Sequence, residues 1–262
     1  MNILAVNDDG IGAAGIKNMV EALTEVADVY VCAPHTQRSA SGHGISIGNP
    51  VRFEEVPFPG AKMAFSIEGS PADCVKLGLE VYRDLDITFD KVFSGINHGG
   101  NLGTDTIYSG TVAAALEGAI NGIPSVAVSI DARDAIQYDT AKALTVKAAQ
   151  MDLAKLHPRL MLNINIPNLP AKSIKGIKMV CSGAREYVEW YDRTDLGDGS
   201  EGYIYSGNPV VYEGITCDTN DVGANQEAYI SITPLKYDLT DYETLAKIKK
   251  AGIFAQWEEE QC

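Results

Sequence analysis

Two adjacent carboxylates, Asp8 and Asp9, follow the apolar run Asn2–Val6 and stand just before Gly10. If they converge at ~5 Å, their repulsion at an effective dielectric of ~20 is about 3 kcal/mol. A bound divalent cation reverses the sign of that problem. The pair therefore reads either as part of a metal site or as caps and Asx turns for the helix that follows. Two later loops offer partners. His35–Gly44 carries Arg38, Ser39 and Ser41, and Ser94–Gly103 carries Asn97 among four glycines in ten residues. Such glycine density implies positive φ values or close backbone approach to a ligand. Carboxylate, hydroxyl and amide are hard oxygen donors, which suit Mg²⁺, Mn²⁺ or Ca²⁺ rather than Zn²⁺ or copper. Ser109-Gly110-Thr111 then opens an apolar helix. Ser109 is a good N-cap, and the same helix start is a seat for an anion such as phosphate, because free N–H groups and the macrodipole point at it.

Other chemistry-bearing residues have plainer explanations. His35, His43, His98 and His157 lack HExxH spacing and default to structural or surface roles. His43 and His98 lie in the site loops, where either could act as an acid or contact a leaving group. Ser70-Pro71-Ala72-Asp73 is a capping box with proline at the first helical position. Gly10-Ile11-Gly12-Ala13-Ala14-Gly15 matches GxGxxG, the fingerprint of a Rossmann-type NAD-dependent oxidoreductase. Two features oppose that reading. Val31-Cys32-Ala33-Pro34 ends the second apolar run without an acid for the ribose, and Asp8 and Asp9 would crowd the pyrophosphate.

The elements that must position these groups alternate. Strand-like runs at Asn2–Val6, Asp28–Ala33, Phe65–Glu68, Lys91–Ser94, Ser125–Ile130 and Leu160–Ile166 are interleaved with helical patterns at Ala14–Val26, Ser70–Tyr82, Ser109–Asn121 and Ala141–Leu156. This βαβ order predicts an α/β layer structure with a largely parallel sheet, whose strand C-termini bring the site loops to one edge. After Pro170 the character changes. Lys178–Cys181, Tyr187–Tyr191, Tyr203–Tyr205 and Val210–Tyr212 suggest hairpins, either as an arm on another subunit or as a second small subdomain. Tyr229–Thr233 reads as a strand and Thr244–Trp257 as a C-terminal helix.

The 262 residues are 45% hydrophobic and 21% charged, which excludes disordered and fibrous classes. A net charge of −14 opposes binding to extended nucleic acid. Apolar stretches such as Ile123–Ile130 are too short to span a bilayer, and no basic region precedes the first one, so a cytoplasmic protein is expected. The odd set Cys32, Cys74, Cys181, Cys217 and Cys262 has no CxxC spacing and reads as free thiols in a reducing compartment.

Together, Asn7-Asp8-Asp9-Gly10, Arg38-Ser39 with Gly42, Gly69-Ser70-Pro71-Ala72-Asp73-Cys74, Ser94-Gly95-Ile96-Asn97 with Gly99 and Asn101, Tyr108-Ser109-Gly110-Thr111, Asn163–Pro167 and Ser231–Leu235 resemble the SurE (survival protein E) family of metal-dependent 5′-nucleotidases. The resemblance runs over nearly the whole chain, most weakly in the hairpin region. It implies a single α/β domain over 1–262, three-layered and Rossmann-like, with a C-terminal β-hairpin arm near 182–215 and a terminal helix over 240–262. Both appendages would serve a homodimer or homotetramer. It implies one divalent metal per subunit (Mg²⁺ or Mn²⁺, with Ca²⁺ as another occupant) held by Asp8, Asp9, Ser39 and Asn97. Phosphate contacts would come from Asn97, Ser109, Gly110 and Thr111. The implied reaction is hydrolysis of nucleoside 5′-monophosphates, with Asp8, Asp9 and Asn97 at its centre and activity toward other nucleotides or short polyphosphates in reach. Water is the favoured nucleophile over Asp8, because Asn7 stands where a DxD pattern needs an acid. The alternative is a non-catalytic regulatory protein that binds metal and nucleotide.

Overall fold

The computed structural model describes residues 1–132, 134, 137–211 and 219–252. The first half builds β1 (Asn2–Val6), α1 (Ala14–Leu23), β2 (Asp28–Pro34), β3 (Phe53–Glu55), β4 (Met63–Ile67), α2 (Pro71–Asp84) and β5 (Lys91–His98). A 3₁₀ turn, Gly103–Ile107, leads to α3 (Gly110–Ile120), β6 (Ser125–Asp131), α4 (Asp139–Gln150), α5 (Leu153–Leu156) and β7 (Met161–Pro167). The remainder forms β8 (Gly176–Met179), β9 (Arg185–Asp195), β10 (Glu201–Val211), α6 (Asp221–Gln226), β11 (Tyr229–Leu235) and α7 (Tyr242–Ala251).

The main sheet has nine strands in the order β3-β4-β2-β1-β5-β6-β7-β11-β8. Pairing from β4 through β7 is parallel, while β3 and β11 run antiparallel to β4 and β7. The period-2 alternation of β1 divides the core. Ile3 and Ala5 join Ile16, Met19 and Leu23 of α1 and Ala141 and Ala148 of α4 on one face. Leu4 and Val6 join Val75 and Tyr82 of α2 and Ala114 of α3 on the other. At ten residues, α1 is too short to be helical alone. Burying its apolar stripe, at roughly 1.5–3 kcal/mol per large side chain, is what holds it.

This winding creates a switch point. From β1 the chain adds β2 and β4 on one side, then crosses back to lay β5 on the other side of β1. Ligands in open α/β sheets bind where strand order reverses in this way. Val6 pairs with Ser94, so Asp8 and Asp9 leave the sheet beside the end of β5 that carries Asn97. The β5–β6 register shifts between Gly95 and Asn97, a bulge that re-aims the following side chain.

The same bulge accounts for the last glycine of the GxGxxG pattern. A Cβ on Gly15 would lie 1.9 Å from the Ile96 carbonyl oxygen, so α1 reaches the bulge only with glycine there. Gly10 turns the chain at φ 96°, with the Thr36 backbone 3.2 Å from where its Cβ would be. Both glycines are required by the fold itself, without a dinucleotide.

Several sequence expectations change. Lys178–Cys181 is not half of a hairpin: β8 covers Gly176–Met179 and extends the main sheet parallel to β11. The aromatic runs beyond it merge into one long antiparallel hairpin, β9–β10, separate from the main sheet; Tyr212 lies outside the described residues. The single helix expected over Ala141–Leu156 breaks at Met151, and the Asp152 side chain caps a second helix. The C-terminal helix ends at Ala251 with Gly252 in the left-handed conformation, and the rest of the expected helix lies outside the described residues. Cys32 and Cys74 are free and buried. Cys181, expected free, is disulfide-bonded, with its partner outside the described residues. An isolated parallel β-bridge also pairs the backbone of Cys181 with that of Asn220. No helix among the described residues is long and apolar enough to cross a membrane.

Candidate metal and phosphate site

Asp8 is buried at 6% exposure and is held from two sides. Its carbonyl accepts from the Arg38 amide at 2.7 Å, which fixes the start of the second loop. Its carboxylate accepts from the Thr111 hydroxyl in the first turn of α3. Burial pushes the Asp8 carboxyl up to about 6; the Thr111 hydrogen bond opposes that rise, and the charge of Asp9 adds to it. The two acids therefore crowd each other, as their sequence adjacency suggests.

Asp9 connects to both other loops. Its Oδ1 accepts from Gln37 Nε2 at 3.2 Å, and its Oδ2 from the His98 amide at 3.4 Å. Gln37 Nε2 also donates to Ser39 Oγ at 2.9 Å, so one amide group lies between the carboxylate and the hydroxyl. The Asn97 side chain donates from Nδ2 to the Gly99 carbonyl at 2.8 Å, which leaves its amide oxygen for another partner. Asp8 and Asp9 lie in the loop after β1 and Ser39 in the loop after β2, whereas Asn97, expected in a loop, sits in the last residues of β5; hydrogen bonds join the three segments at a single sheet edge.

Their chemistry fits a hard divalent cation. Among the described residues no three His, Cys, Asp or Glu side chains gather, so the donor set here is two carboxylates, a hydroxyl and an amide. A cation there would relieve the Asp8–Asp9 repulsion that helps to raise the Asp8 carboxyl.

The N-terminus of α3 closes the site. A Cβ on Gly110 would lie 2.8 Å from the Asp8 Cβ, 2.9 Å from Pro71 Cγ and 3.0 Å from Ser41 Oγ. Glycine is what lets this helix end press against the acids. Ser109 caps the helix by accepting from the Val112 amide at 3.0 Å. Its N–H groups in the first turn have no intrahelical partner. Thr111 directs its hydroxyl to Asp8, so its side chain positions the carboxylate, a role that helical spacing alone did not suggest.

The loop bearing Ser39 is itself strapped down. Gly42 N donates to the Tyr108 carbonyl at 3.0 Å, and Ser70 Oγ donates to the Gly44 carbonyl at 2.6 Å. Asp73, buried at 6%, makes the expected capping box and also accepts from Ser46 N at 2.8 Å and Ser46 Oγ at 2.9 Å. His43 Nε2 lies 2.9 Å from Oε2 of Glu117, a buried carboxylate that also accepts from Lys76 Nζ and Asn121 Nδ2, each at 2.9 Å. Burial alone would raise the Glu117 carboxyl, but the bonds from His43 and Lys76 outweigh it and hold it at about 2. His43 is thus engaged by the strap, and His98 pairs with the Tyr138 hydroxyl. Gln37, Glu117 and the second role of Asp73 were not anticipated; Gln37, two residues from Ser39 in a polar loop, carried the nearest sequence signal.

Below the third loop, Asn101 is fixed by Asn165 at 2.7 Å, Ser129 at 2.8 Å and Asn163 at 2.8 Å. Asp221, fully buried, accepts from the amides of Gly103 at 2.9 Å and Gly183 at 2.7 Å, which ties this loop to the base of the hairpin.

Comparison with known proteins gives the family. The family model described as "Survival protein SurE" matches residues 3–189. The "5′-nucleotidase SurE" of Petrotoga mobilis is 41% identical over 251 residues, covering 95% of this chain and 98% of that protein. Its counterpart in Pelotomaculum thermopropionicum is 43% identical over 251 residues, covering 95% of each. The crystal structure of the SurE protein from Aquifex aeolicus superposes with a TM-score of 0.78 at 35% identity, over 96% of this chain and 99% of that one. With its β1, β2 and β5 loops converging on the start of α3, and with relatives matched end to end, the chain belongs to the SurE family.

Proposed function

We propose that this chain is a metal-dependent 5′-nucleotidase that hydrolyses nucleoside 5′-monophosphates to nucleoside and phosphate. The observation that carries the reading is the packing of the α3 N-terminus on Asp8 through Gly110, which supports a cation seat beside an anion seat. The names of the relatives support the nucleotide substrate. In this reading Asp8, Asp9, Ser39 and Asn97 hold one divalent ion, Mg²⁺ or Mn²⁺ by donor chemistry. When bound, that ion supplies Lewis acidity toward phosphoryl oxygens and water.

The chain's own groups do the rest. The Gly110 and Thr111 amides, the Ser109 hydroxyl and the Asn97 side chain orient the phosphoryl group at the positive end of the helix dipole. Thr111 fixes the rotamer of Asp8, and Gln37 steadies Asp9 against Ser39. Water would attack phosphorus in line as the ester P–O bond breaks, the proton lost by the water being made up on the nucleoside oxygen that leaves as an alcohol, and Asp8 would stay a ligand rather than a nucleophile. One α/β domain spanning 1–262 carries the site, and the hairpin and C-terminal helix build a homodimer or homotetramer. The free thiols of Cys32 and Cys74 favour a cytoplasmic setting, against which stands the Cys181 disulfide.

The test is phosphate release from several nucleoside monophosphates with and without Mn²⁺ or Mg²⁺. Metal-dependent release supports the reading. Nucleotide binding with metal but no release makes the chain a regulatory binder instead. Heavy oxygen from labelled water appearing in the 7–9 peptide after single turnover would make Asp8 the nucleophile.

A further inference from the structure

Ser41 stands apart from the residues already given a role. Its hydroxyl is buried and has no hydrogen-bond partner. It lies 3.0 Å from the position a Gly110 Cβ would occupy, at the first turn of α3. A buried hydroxyl left unpaired is costly, so a fold keeps one only where something compensates. The strap leaves it little freedom to find a partner by itself. After it in the chain, Gly42 is tied to Tyr108, His43 to the buried Glu117 and Gly44 to Ser70, and before it the Arg38 amide is tied to the Asp8 carbonyl. Two carboxylates remote from the acids of the site, Glu117 and Asp73, thus fix the segment that presents this hydroxyl.

What belongs there is set by the surroundings. The helix start offers N–H groups and the positive end of a dipole, which favour an anion with several acceptor oxygens. A hydroxyl can donate to such an oxygen, and a charge-assisted bond of this kind is about twice as strong as a neutral one. We propose that Ser41 is a phosphate-binding residue, its hydroxyl donating to a non-bridging oxygen of the phosphoryl group seated on the N-terminus of α3. This rests on the phosphohydrolase reading and adds to it a donor from the second loop. It also gives the strap a purpose: it holds a donor in place before substrate arrives.

The experiment is calorimetric titration of inorganic phosphate into the full-length, Mg²⁺-loaded protein, wild type against Ser41→Ala, with thermal unfolding of each in the absence of phosphate. The expected result has two opposed parts. Ser41→Ala weakens phosphate binding roughly ten-fold, the loss of one hydrogen bond to a charged group. Its unfolding midpoint without phosphate stays level or rises, because an unpaired buried hydroxyl has been removed. Phosphate affinity equal in the two proteins overturns the assignment. So does a weakened affinity accompanied by a lowered midpoint, which makes Ser41 structural. A wild type that takes up Mg²⁺ but no phosphate removes the anion seat altogether, and with it the broader reading; equal affinity in the two proteins removes Ser41 alone.

Discussion

Asp8 is a gripped side chain, and its grip separates two kinds of loss. Asp8→Asn keeps the shape but removes a ligand charge, so Mn²⁺ affinity and turnover both collapse while the fold persists. Thr111→Val removes only the hydroxyl that orients the carboxylate. Turnover should fall roughly ten-fold, and metal affinity less than in Asp8→Asn. Ser109→Ala also loses a helix cap, so denaturant unfolding should show a cost of about 1 kcal/mol beside any loss of phosphate affinity. Paired measurements of metal binding and phosphate release separate the three variants; equal metal affinity in Asp8→Asn and wild type would detach Asp8 from the site. The site loops themselves were legible in the sequence, because two adjacent acids after a strand, glycine clusters and a Ser-Gly-Thr helix start each have few physical uses. Gln37 was not, and Ser41 stood out only as one hydroxyl of its loop, since a polar residue in a polar loop has many. What gives them meaning is a third group brought from elsewhere: Asp9 for Gln37, and the Gly110 turn for Ser41.

Among the elements, α1 and the strap make the sharpest demands. Gly15→Ala places a methyl 1.9 Å from the Ile96 oxygen, so α1 must lift from the β5 bulge. We expect a loss of roughly 3 kcal/mol in denaturant unfolding, with reduced turnover because the bulge aims Asn97. Gly12→Ala, which meets nothing within 4 Å, is the control. The strap answers to pH. Glu117 is depressed from an ordinary 4.5 to about 2, so its contribution is complete above 4.5 and disappears as pH falls toward about 2. It amounts at most to something on the order of 3 kcal/mol, less whatever solvent screens at the half-exposed Lys76. Glu117→Gln should therefore be less stable than wild type at neutral pH and converge on it in acid; a pH-independent difference would mean that charge is not the link. Element order followed from periodicity and punctuation. The strand Phe53–Glu55 and the break at Met151 escaped because a three-residue edge strand and a two-residue helix interruption leave little pattern.

The molecule as a whole is a buried α/β body with an exposed appendage. Two-stranded hairpins are marginal alone, yet β9–β10 exposes Val188, Tyr191, Tyr203, Ile204 and Tyr205. Its base is fastened by Arg185 and Tyr187 to Asp105, each at 2.8 Å, and its outer part extends beyond the sheet. Such a surface would suit a second copy of the chain, the arm of the two alternatives that the sequence leaves open. Light scattering should give a dimer or tetramer mass, and replacing Tyr191 and Tyr203 with Lys should shift it toward monomer; a wild-type monomer would leave the hairpin without that role. The assembly was the least legible part of the chain, since aromatic runs between glycines record exposure only after folding.

The central claim is a divalent cation held by carboxylate, hydroxyl and amide oxygens from three loops. It is tested most directly by titrating Mn²⁺ into the metal-stripped full-length protein and following the ion by electron paramagnetic resonance, with Asp8→Asn and Asn97→Ala in parallel. The account predicts one tight Mn²⁺ per chain in wild type, binding lost in Asp8→Asn and weakened in Asn97→Ala. Wild type without bound Mn²⁺, or the same affinity in all three proteins, would contradict it.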